Sequence, residues 1–98
     1  MAAAQAIRDG DTLRVQGDLD FDSVVGLLTA TETWFADAAL SRIDLGEVSR
    51  SNSAGVALLV HWLRLARHHE RELVFVNIPA QMWAIIKIVD LETLLPVA

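Results

Sequence analysis

Residues 42–59 constrain the fold most strongly, because they combine a strand pattern, a short polar turn and the start of a helix. Ile43, Leu45 and Val48 supply the apolar side of a strand, and apolar residues at helical spacing follow the turn. Between them, residues 49–55 supply four candidate capping side chains and one glycine. A hydroxyl group there lies at the positive end of a helix dipole, which suits recognition of a partner or a phosphate. A plain capped helix start accounts for the same residues.

Segments with a strand pattern alternate with segments of helical period along the rest of the chain. This alternation predicts an α/β fold rather than an all-α bundle. The predicted strands cover residues 12–17, 40–45 and 73–76, with shorter candidates from Asp18 and at residues 94–97. The predicted helices cover residues 21–35, capped by Asp20 or Asp22, residues 53–70, and a segment that Pro79 opens. The strand at residues 73–76 is apolar on both faces, which predicts an inner strand covered by helices, whereas Pro96 predicts an edge strand or a docked tail.

Length, charge and cysteine content exclude several classes of protein. The 98 residues predict one domain over residues 1–98, and the absence of cysteine excludes disulfides, cysteine-ligated zinc and a thiol nucleophile. No apolar run is long enough to span a bilayer and residues 1–5 lack a signal-peptide pattern, so we expect a cytoplasmic chain that does not insert into the membrane. The net charge of −5 argues against nucleic-acid binding. Only Arg64, Arg67 and Arg71 approach a basic cluster, and we expect them on a solvated helix face.

The candidate catalytic and metal-binding residues do not have the spacing that their chemistry needs. Three aspartates within residues 18–22 follow a strand, but a calcium loop there would need glycine at its sixth position and a carboxylate at its twelfth. We expect these aspartates to form turns and caps. His61, His68 and His69 lack the i, i+4 spacing and the third ligand of a zinc site, and Ser53 lacks the Gly-x-Ser-x-Gly motif of a hydrolase. The sequence therefore predicts no enzyme, no metal and no cofactor.

The second and third predicted helices carry more apolar surface than one sheet can cover. On a helical wheel the apolar residues of the long helix span an arc of roughly 220°, against about 100° for a typical surface helix. A neighbouring helix accounts for part of this arc, and a partner subunit would cover the rest, with Leu58 or Trp62 near its edge. Met82 and Trp83, on the third helix, would extend a protein-binding patch beside the polar turn.

Taken together, residues 12–20, 43–45 and 53–59 resemble the STAS domain, a family named for sulfate transporters and anti-sigma-factor antagonists. The resemblance covers nearly the whole chain. It implies an α/β fold with a single mixed β-sheet of four to five strands and three or more helices packed mainly on one face. Within the family, residues 10–13 and 56–66 are most similar to the small cytoplasmic subunit of phospholipid-trafficking ABC transporters of Gram-negative bacteria.

The same resemblance assigns roles to the turn before the long helix. In the family this turn usually reads Asp, then Ser or Thr, a small residue and Gly, and the hydroxyl residue is phosphorylated in the anti-sigma-factor antagonists. These positions fall on Asn52, Ser53, Ala54 and Gly55, so Ser53 corresponds to the phosphorylated residue, while Asn52 lacks the charge of the usual aspartate. In the transporter subunits the turn and the adjoining helix face dock on the ATPase. The partner-binding residues implied in this chain are Ser51, Asn52, Ser53, Ala54, Gly55, Leu58, Trp62, Met82 and Trp83.

Two functions follow from the resemblance. The first is a non-enzymatic accessory subunit that binds and stabilises or activates the ATPase of a phospholipid-transporting ABC complex with an inner-membrane permease, maintaining outer-membrane lipid asymmetry. Such a subunit is cytoplasmic and peripheral to the inner membrane through its complex. The second is an anti-sigma-factor antagonist switched by phosphate on Ser53, which adds about −1.5 to −2 charges. Asn52 and the apolar second and third helices favour the first function.

Overall fold

The computed structural model describes residues 3–98 and shows a four-stranded sheet with three α-helices. The elements are β1 Gln5–Asp9, β2 Thr12–Leu19, α1 Val24–Thr31, a 3₁₀ helix Glu32–Ala36, β3 Arg42–Ser51, α2 Ser53–His68, β4 Val74–Val76 and α3 Ala80–Ile88. This confirms the predicted α/β fold with a mixed sheet.

The strands lie side by side in the order β1-β2-β3-β4. β1 and β2 form an antiparallel hairpin whose turn contains Gly10 at a φ of +62°, a conformation that glycine adopts without strain. β2–β3 and β3–β4 are parallel pairs, because α1 and α2 carry the chain back across the sheet. Residues along β2 alternate between buried and more exposed positions, as expected when helices cover one face of a sheet.

The core lies between the helices and the covered face of the sheet, with Trp62 of α2 near its centre. Trp62 is fully buried and stacks on Phe35, with ring centroids 6.4 Å apart. Its indole N–H donates a hydrogen bond of 2.9 Å to the hydroxyl of buried Thr31, which in turn donates to the carbonyl of Leu27 at 2.8 Å. Both buried polar side chains are therefore satisfied, and the bond between Trp62 and Thr31 ties α1 to α2.

Several predicted boundaries are wrong. β1 was absent from the predicted elements, β2 continues through Asp18 without a second strand, and β3 extends to Ser51. The first helix begins at Val24 and becomes a 3₁₀ helix after Thr31, which agrees with the low helix propensity of the glycine and threonines in this segment. α2 ends at His68, and Pro79 caps α3 instead of forming its first turn.

The position of β4 also differs from the prediction, because β4 is a strand at the end of the sheet order and not an inner strand. Phe75 of β4 is fully buried and pairs with Val97 through an isolated parallel bridge. The predicted docking of the C-terminal segment is thereby confirmed. An apolar strand at an edge is protected here by this segment.

Candidate functional site

The turn between β3 and α2 is formed by a single residue, Asn52, since β3 ends at Ser51 and α2 begins at Ser53. Asn52 has an extended backbone, and its side-chain oxygen accepts a hydrogen bond of 2.8 Å from the backbone N–H of Ala54. This is N-cap geometry, which satisfies one of the free donors at the start of the helix. The predicted capped helix start is confirmed, with a shorter turn than the sequence indicated.

Ser51 and Gly55 hold this turn against the sheet. Ser51 is buried, its backbone N–H donates to the side-chain oxygen of Gln81 at 3.1 Å, and its hydroxyl donates to the carbonyl of Asn52 at 3.0 Å. A Cβ atom at Gly55 would overlap the hydroxyl oxygen of Ser51 and would lie 3.1 Å from the Cβ of Leu19. Glycine at position 55 therefore lets the first turn of α2 approach the sheet closely.

Ser53 presents the exposed hydroxyl group of the turn. It is the first residue of α2, and the capping of the helix is already performed by Asn52. Its hydroxyl has no hydrogen-bond partner among residues 3–98. The first turn of α2 carries no acidic side chain, so the positive end of the helix dipole is not neutralised by the helix itself. A partner's acceptor or a phosphate would be favoured at this position.

An apolar groove of about 190 Å³ runs between α1 and α2 beside this turn. It is lined from the first helix and its approach by Phe21, Val25 and Leu28, and from α2 by Ala57 and His61. Phe21 and Val25 are 70% and 67% exposed. Large apolar side chains grouped at a groove commonly mark a site of interaction with another molecule.

A polar cleft of about 310 Å³ borders the turn on another side. Arg50, Gln81 and Asp20 contribute to its lining. The carboxylate of Asp20 accepts backbone N–H groups of Asp22 and Ser23, both at 2.9 Å, which confirms the predicted role in a turn. The predicted capping of the first helix by Asp20 or Asp22 is wrong, because Ser23 is the N-cap residue and makes no side-chain cap bond.

Three residues predicted at a partner-binding surface lie in the core. Leu58 is 3% exposed, and Trp62 and Met82 are fully buried. Trp62 does not lie at the edge of the packed surface, because Phe35 of the 3₁₀ helix stacks on it, whereas Leu58 contributes to the lining of the apolar groove between α1 and α2. Trp83 is partly exposed, and the ammonium group of Lys87 lies 5.8 Å from its ring centroid.

Ser51 and Gly55 are buried as well and support the turn, whereas Ala54, although buried, contributes to the lining of the apolar groove. Asn52 and Ser53 are the predicted turn residues that reach the surface. The apolar groove beside them was not predicted. Its sequence signal was the row of apolar residues at the start of the first helix, which exceeds what an eight-residue helix buries.

The histidine and acidic side chains of the described residues are spread over the fold. Within residues 3–98, the histidine, aspartate and glutamate side chains form no group of three that could hold a metal ion. His68 and His69 lie edge to face, with ring centroids 5.2 Å apart, at the end of α2. In the same part of the chain, no helix has the length and apolar character needed to cross a bilayer.

The order of the strands and the helices packed on them are those of a known class of small α/β domain. A family model described as "Mlab, STAS domain" matches residues 2–96, and the chain therefore belongs to the STAS domain family. It is similar to the intermembrane phospholipid transport system binding protein MlaB of Escherichia coli K12, with 31% identity over 85 residues, which cover 87% of this chain and 86% of that protein. The protein of the same name from Shigella flexneri gives the same identity and coverage.

Solved structures share the fold at lower identity. An anti-sigma factor antagonist from Mycobacterium paratuberculosis superposes with a TM-score of 0.75 at 20% identity, covering 99% of this chain and 85% of that chain. The unphosphorylated anti-sigma factor antagonist SpoIIAA gives a TM-score of 0.72 at 19% identity, covering 98% and 88%. These structures confirm the predicted STAS fold.

Proposed function

We propose that this chain is a non-enzymatic accessory subunit that binds the ATPase of a phospholipid-transporting ABC complex and stabilises or activates it. The similarity to MlaB over 87% of the chain supports a role in phospholipid transport. The subunit would lie in the cytoplasm of a Gram-negative bacterium, held at the inner membrane through the ATPase and its permease. The complex would maintain the lipid asymmetry of the outer membrane.

The observation that carries this proposal is the apolar groove that adjoins the exposed hydroxyl of Ser53. We define the docking surface as Phe21, Val25, Asn52, Ser53 and Ala57, all of which are exposed. Covering an exposed aromatic or aliphatic side chain of this size contributes about 1.5–3 kcal/mol. A neutral, largely apolar surface with a polar centre is typical of lasting subunit contacts rather than of brief electrostatic encounters.

The test is affinity purification of the tagged chain from membranes, followed by identification of the ATPase and permease. Val25→Glu and Ser53→Arg each introduce charge and bulk at the docking surface, so we expect both to abolish recovery of the ATPase and to cause envelope-permeability defects. Ser53→Ala should have a mild effect, because the hydroxyl is not the helix cap.

Ile88→Glu provides a matched control, since Ile88 is 80% exposed on α3, outside the docking surface. This variant should recover the ATPase normally. Normal recovery with both Val25→Glu and Ser53→Arg would contradict the proposal, as would a loss confined to Ile88→Glu. Thermal unfolding of each purified variant would test whether the fold persists.

A second function, an anti-sigma-factor antagonist switched by phosphorylation, is favoured by the exposed hydroxyl of Ser53, which is free of capping duty. A phosphate there would place about −1.5 to −2 charges beside the apolar groove and weaken binding of an apolar partner surface. Mass spectrometry of protein taken from cells should then detect phosphoserine at position 53. Unmodified Ser53 under every growth condition would contradict this second function.

A further inference from the structure

A basic groove lies at the opposite end of α2 from Ser53. It has a volume of about 660 Å³ and opens between the end of α2 and the first residues of β3 and β4. Arg42, Arg67 and Arg71 line it, together with a single carboxylate from Glu72. Because the whole chain has a net charge of −5, this groove has the opposite sign of charge to the protein as a whole.

The backbone at the end of α2 fixes the position of Arg71. Glu70 adopts a left-handed conformation with a φ of 56° and donates its N–H to the carbonyl of Arg67 at 3.0 Å. The N–H of Arg71 donates to the carbonyl of Ala66 at 2.7 Å. These two bonds form a Schellman motif, so the Cα of Arg71 is placed by the helix end and not by its own side chain.

The end of α3 uses the same motif with a different side chain. Asp90 has a φ of 59°, and the N–H of Leu91 donates to the carbonyl of Ile86 at 2.9 Å. Leu91 packs against the core, which is the apolar contact that usually accompanies this motif. At the end of α2 the equivalent position holds Arg71, so a guanidinium group takes the place of an apolar anchor.

The guanidinium group of Arg71 is incompletely paired. Its Nε is buried and has no hydrogen-bond partner among residues 3–98. Within the same residues, Asp37 pairs with Arg8 at 3.1 Å, and the arginines of the groove form no ion pair of their own. A buried donor without an acceptor is unfavourable, and Arg71 also lines the groove, so the fold leaves part of the hydrogen-bonding capacity of this guanidinium group unused.

We propose that the groove binds a phosphate-bearing anion between Arg67 and Arg71, with Arg42 facing it from the sheet. Guanidinium groups pair with phosphate oxygens through two parallel hydrogen bonds, and three guanidinium groups against one carboxylate give the groove a net positive charge that favours a phosphate anion. Leu63 and Pro96 line the remainder of the groove, so the phosphate group is accompanied by an uncharged portion of the ligand. A soluble phosphate ester and the headgroup of an anionic phospholipid share this chemistry.

The proposal is tested by NMR titration of the full chain with inorganic phosphate and with glycerol 3-phosphate, and by co-sedimentation with phosphatidylglycerol vesicles against phosphatidylcholine vesicles. We expect saturable shifts at the end of α2 and the start of β3. Arg71→Leu should weaken binding by about tenfold or more, because it removes a charged hydrogen-bonding group. Arg67→Gln should act in the same direction.

Arg64→Gln is the matched control, because Arg64 is an exposed arginine of α2 that does not line the groove. It should bind like the unaltered chain. Arg71→Leu should also raise the melting temperature, because leucine restores the usual apolar contact and removes the unpaired donor. Weaker binding by a more stable protein cannot be attributed to misfolding.

Saturable binding of the soluble phosphates identifies a free phosphate ester as the ligand, whereas binding to phosphatidylglycerol vesicles alone identifies a lipid headgroup. No response to any of these probes overturns the proposal, as does equal binding by Arg71→Leu and Arg64→Gln. Val25→Glu should bind the anion normally. The outcome is therefore independent of whether the chain docks on an ATPase.

Discussion

At its N-terminal end α2 packs so closely on the sheet that Gly55 leaves no room for a methyl group, whereas its C-terminal end opens onto a groove of about 660 Å³. At the N-terminal end of α2, close packing restricts which side chains fit, and the exposed surface is neutral. Charge is dominant at the second end, where three arginines line the groove. Enlarging a buried residue at the N-terminal end should therefore lower the free energy of unfolding, whereas replacing an arginine of the groove should weaken binding without destabilising the fold.

The largest effect is expected from Gly55→Ala. The new Cβ would overlap the hydroxyl oxygen of Ser51 and crowd Leu19, so unfolding should become easier by about 2–3 kcal/mol. Urea denaturation measures this change. Gly26→Ala is the control, because a Cβ at Gly26 meets no atom within 4 Å and alanine should stabilise α1 by about 0.5–1 kcal/mol. If the two variants were equally stable, close packing at Gly55 would not distinguish the N-terminal end of α2 from its C-terminal end.

Asn52→Ala should have the next largest effect, about 1 kcal/mol of destabilisation, because it deletes the side chain that caps α2. Denaturant unfolding and helical circular dichroism measure the loss. Ser53→Ala alters the neighbouring hydroxyl, which does not cap the helix, and should be nearly neutral. A larger loss for Ser53→Ala than for Asn52→Ala would contradict the observed cap.

Glu70→Gly tests the C-terminal end in the opposite direction. Glu70 holds a left-handed conformation that glycine adopts at lower cost, so the variant should be stabilised by about 0.5–1 kcal/mol. Asp90→Gly makes the same change in the matching motif of α3 and should give a similar gain. Destabilisation by both substitutions would contradict this prediction, because it would show that the side chains of Glu70 and Asp90 stabilise the fold by more than their left-handed backbone conformation destabilises it.

The smallest effect is expected from Asp37→Asn, near the charges of the C-terminal end. The backbone N–H of Ala39, which donates at 2.9 Å, lowers the pKa of Asp37 most. Desolvation raises this pKa, and the positive charges of Arg8 and Arg71 lower it, so that the net shift is downward. A carboxyl group whose pKa is lower in the folded state stabilises the protein above its unfolded pKa, and this contribution is lost as the pH falls.

As the pH is lowered from neutral to about pH 3, the melting temperature of the unaltered chain should therefore fall slightly more steeply than that of Asp37→Asn. The exposure of Asp37 keeps the difference small. Glu92→Gln removes an exposed carboxylate elsewhere and serves as the charge control. Parallel pH profiles for the unaltered chain and Asp37→Asn would contradict the role assigned to this carboxylate.

Local sequence signals predicted the fold where a turn or cap accompanied a long periodic segment. The transition from β3 through Asn52 into α2 is the clearest case. β1 was missed because Ala6 and Ile7 give no alternating pattern, and its strand depends on pairing with β2 through the hairpin. The three residues of β4 could not indicate whether a helix or the C-terminal segment covered its edge.

The site was less predictable, because periodicity measures the apolar surface of one helix without identifying what covers it. The apolar arc of α2 is as wide as predicted, but Phe35 stacks on Trp62 within it. The exposed apolar residues of the groove are instead Phe21 and Val25, which precede α2 in the sequence. Arg71 follows α2 in the sequence and was grouped with a solvated helix face. Its place in the basic groove depends on the reversal of the chain at Glu70.

The hydrogen bond between Trp62 and Thr31 makes Trp62 an intrinsic fluorescent probe of the packing of α2 against α1. Trp62 is fully buried, while Trp34 and Trp83 are partly exposed, so replacing the latter two with phenylalanine leaves a single emitting indole in the core. Because its N–H reaches across from α2 to α1, its emission wavelength reports the spacing of the helices that border the apolar groove. A partner that wedges the helices apart shifts that wavelength, and one that rests on the surface leaves it unchanged.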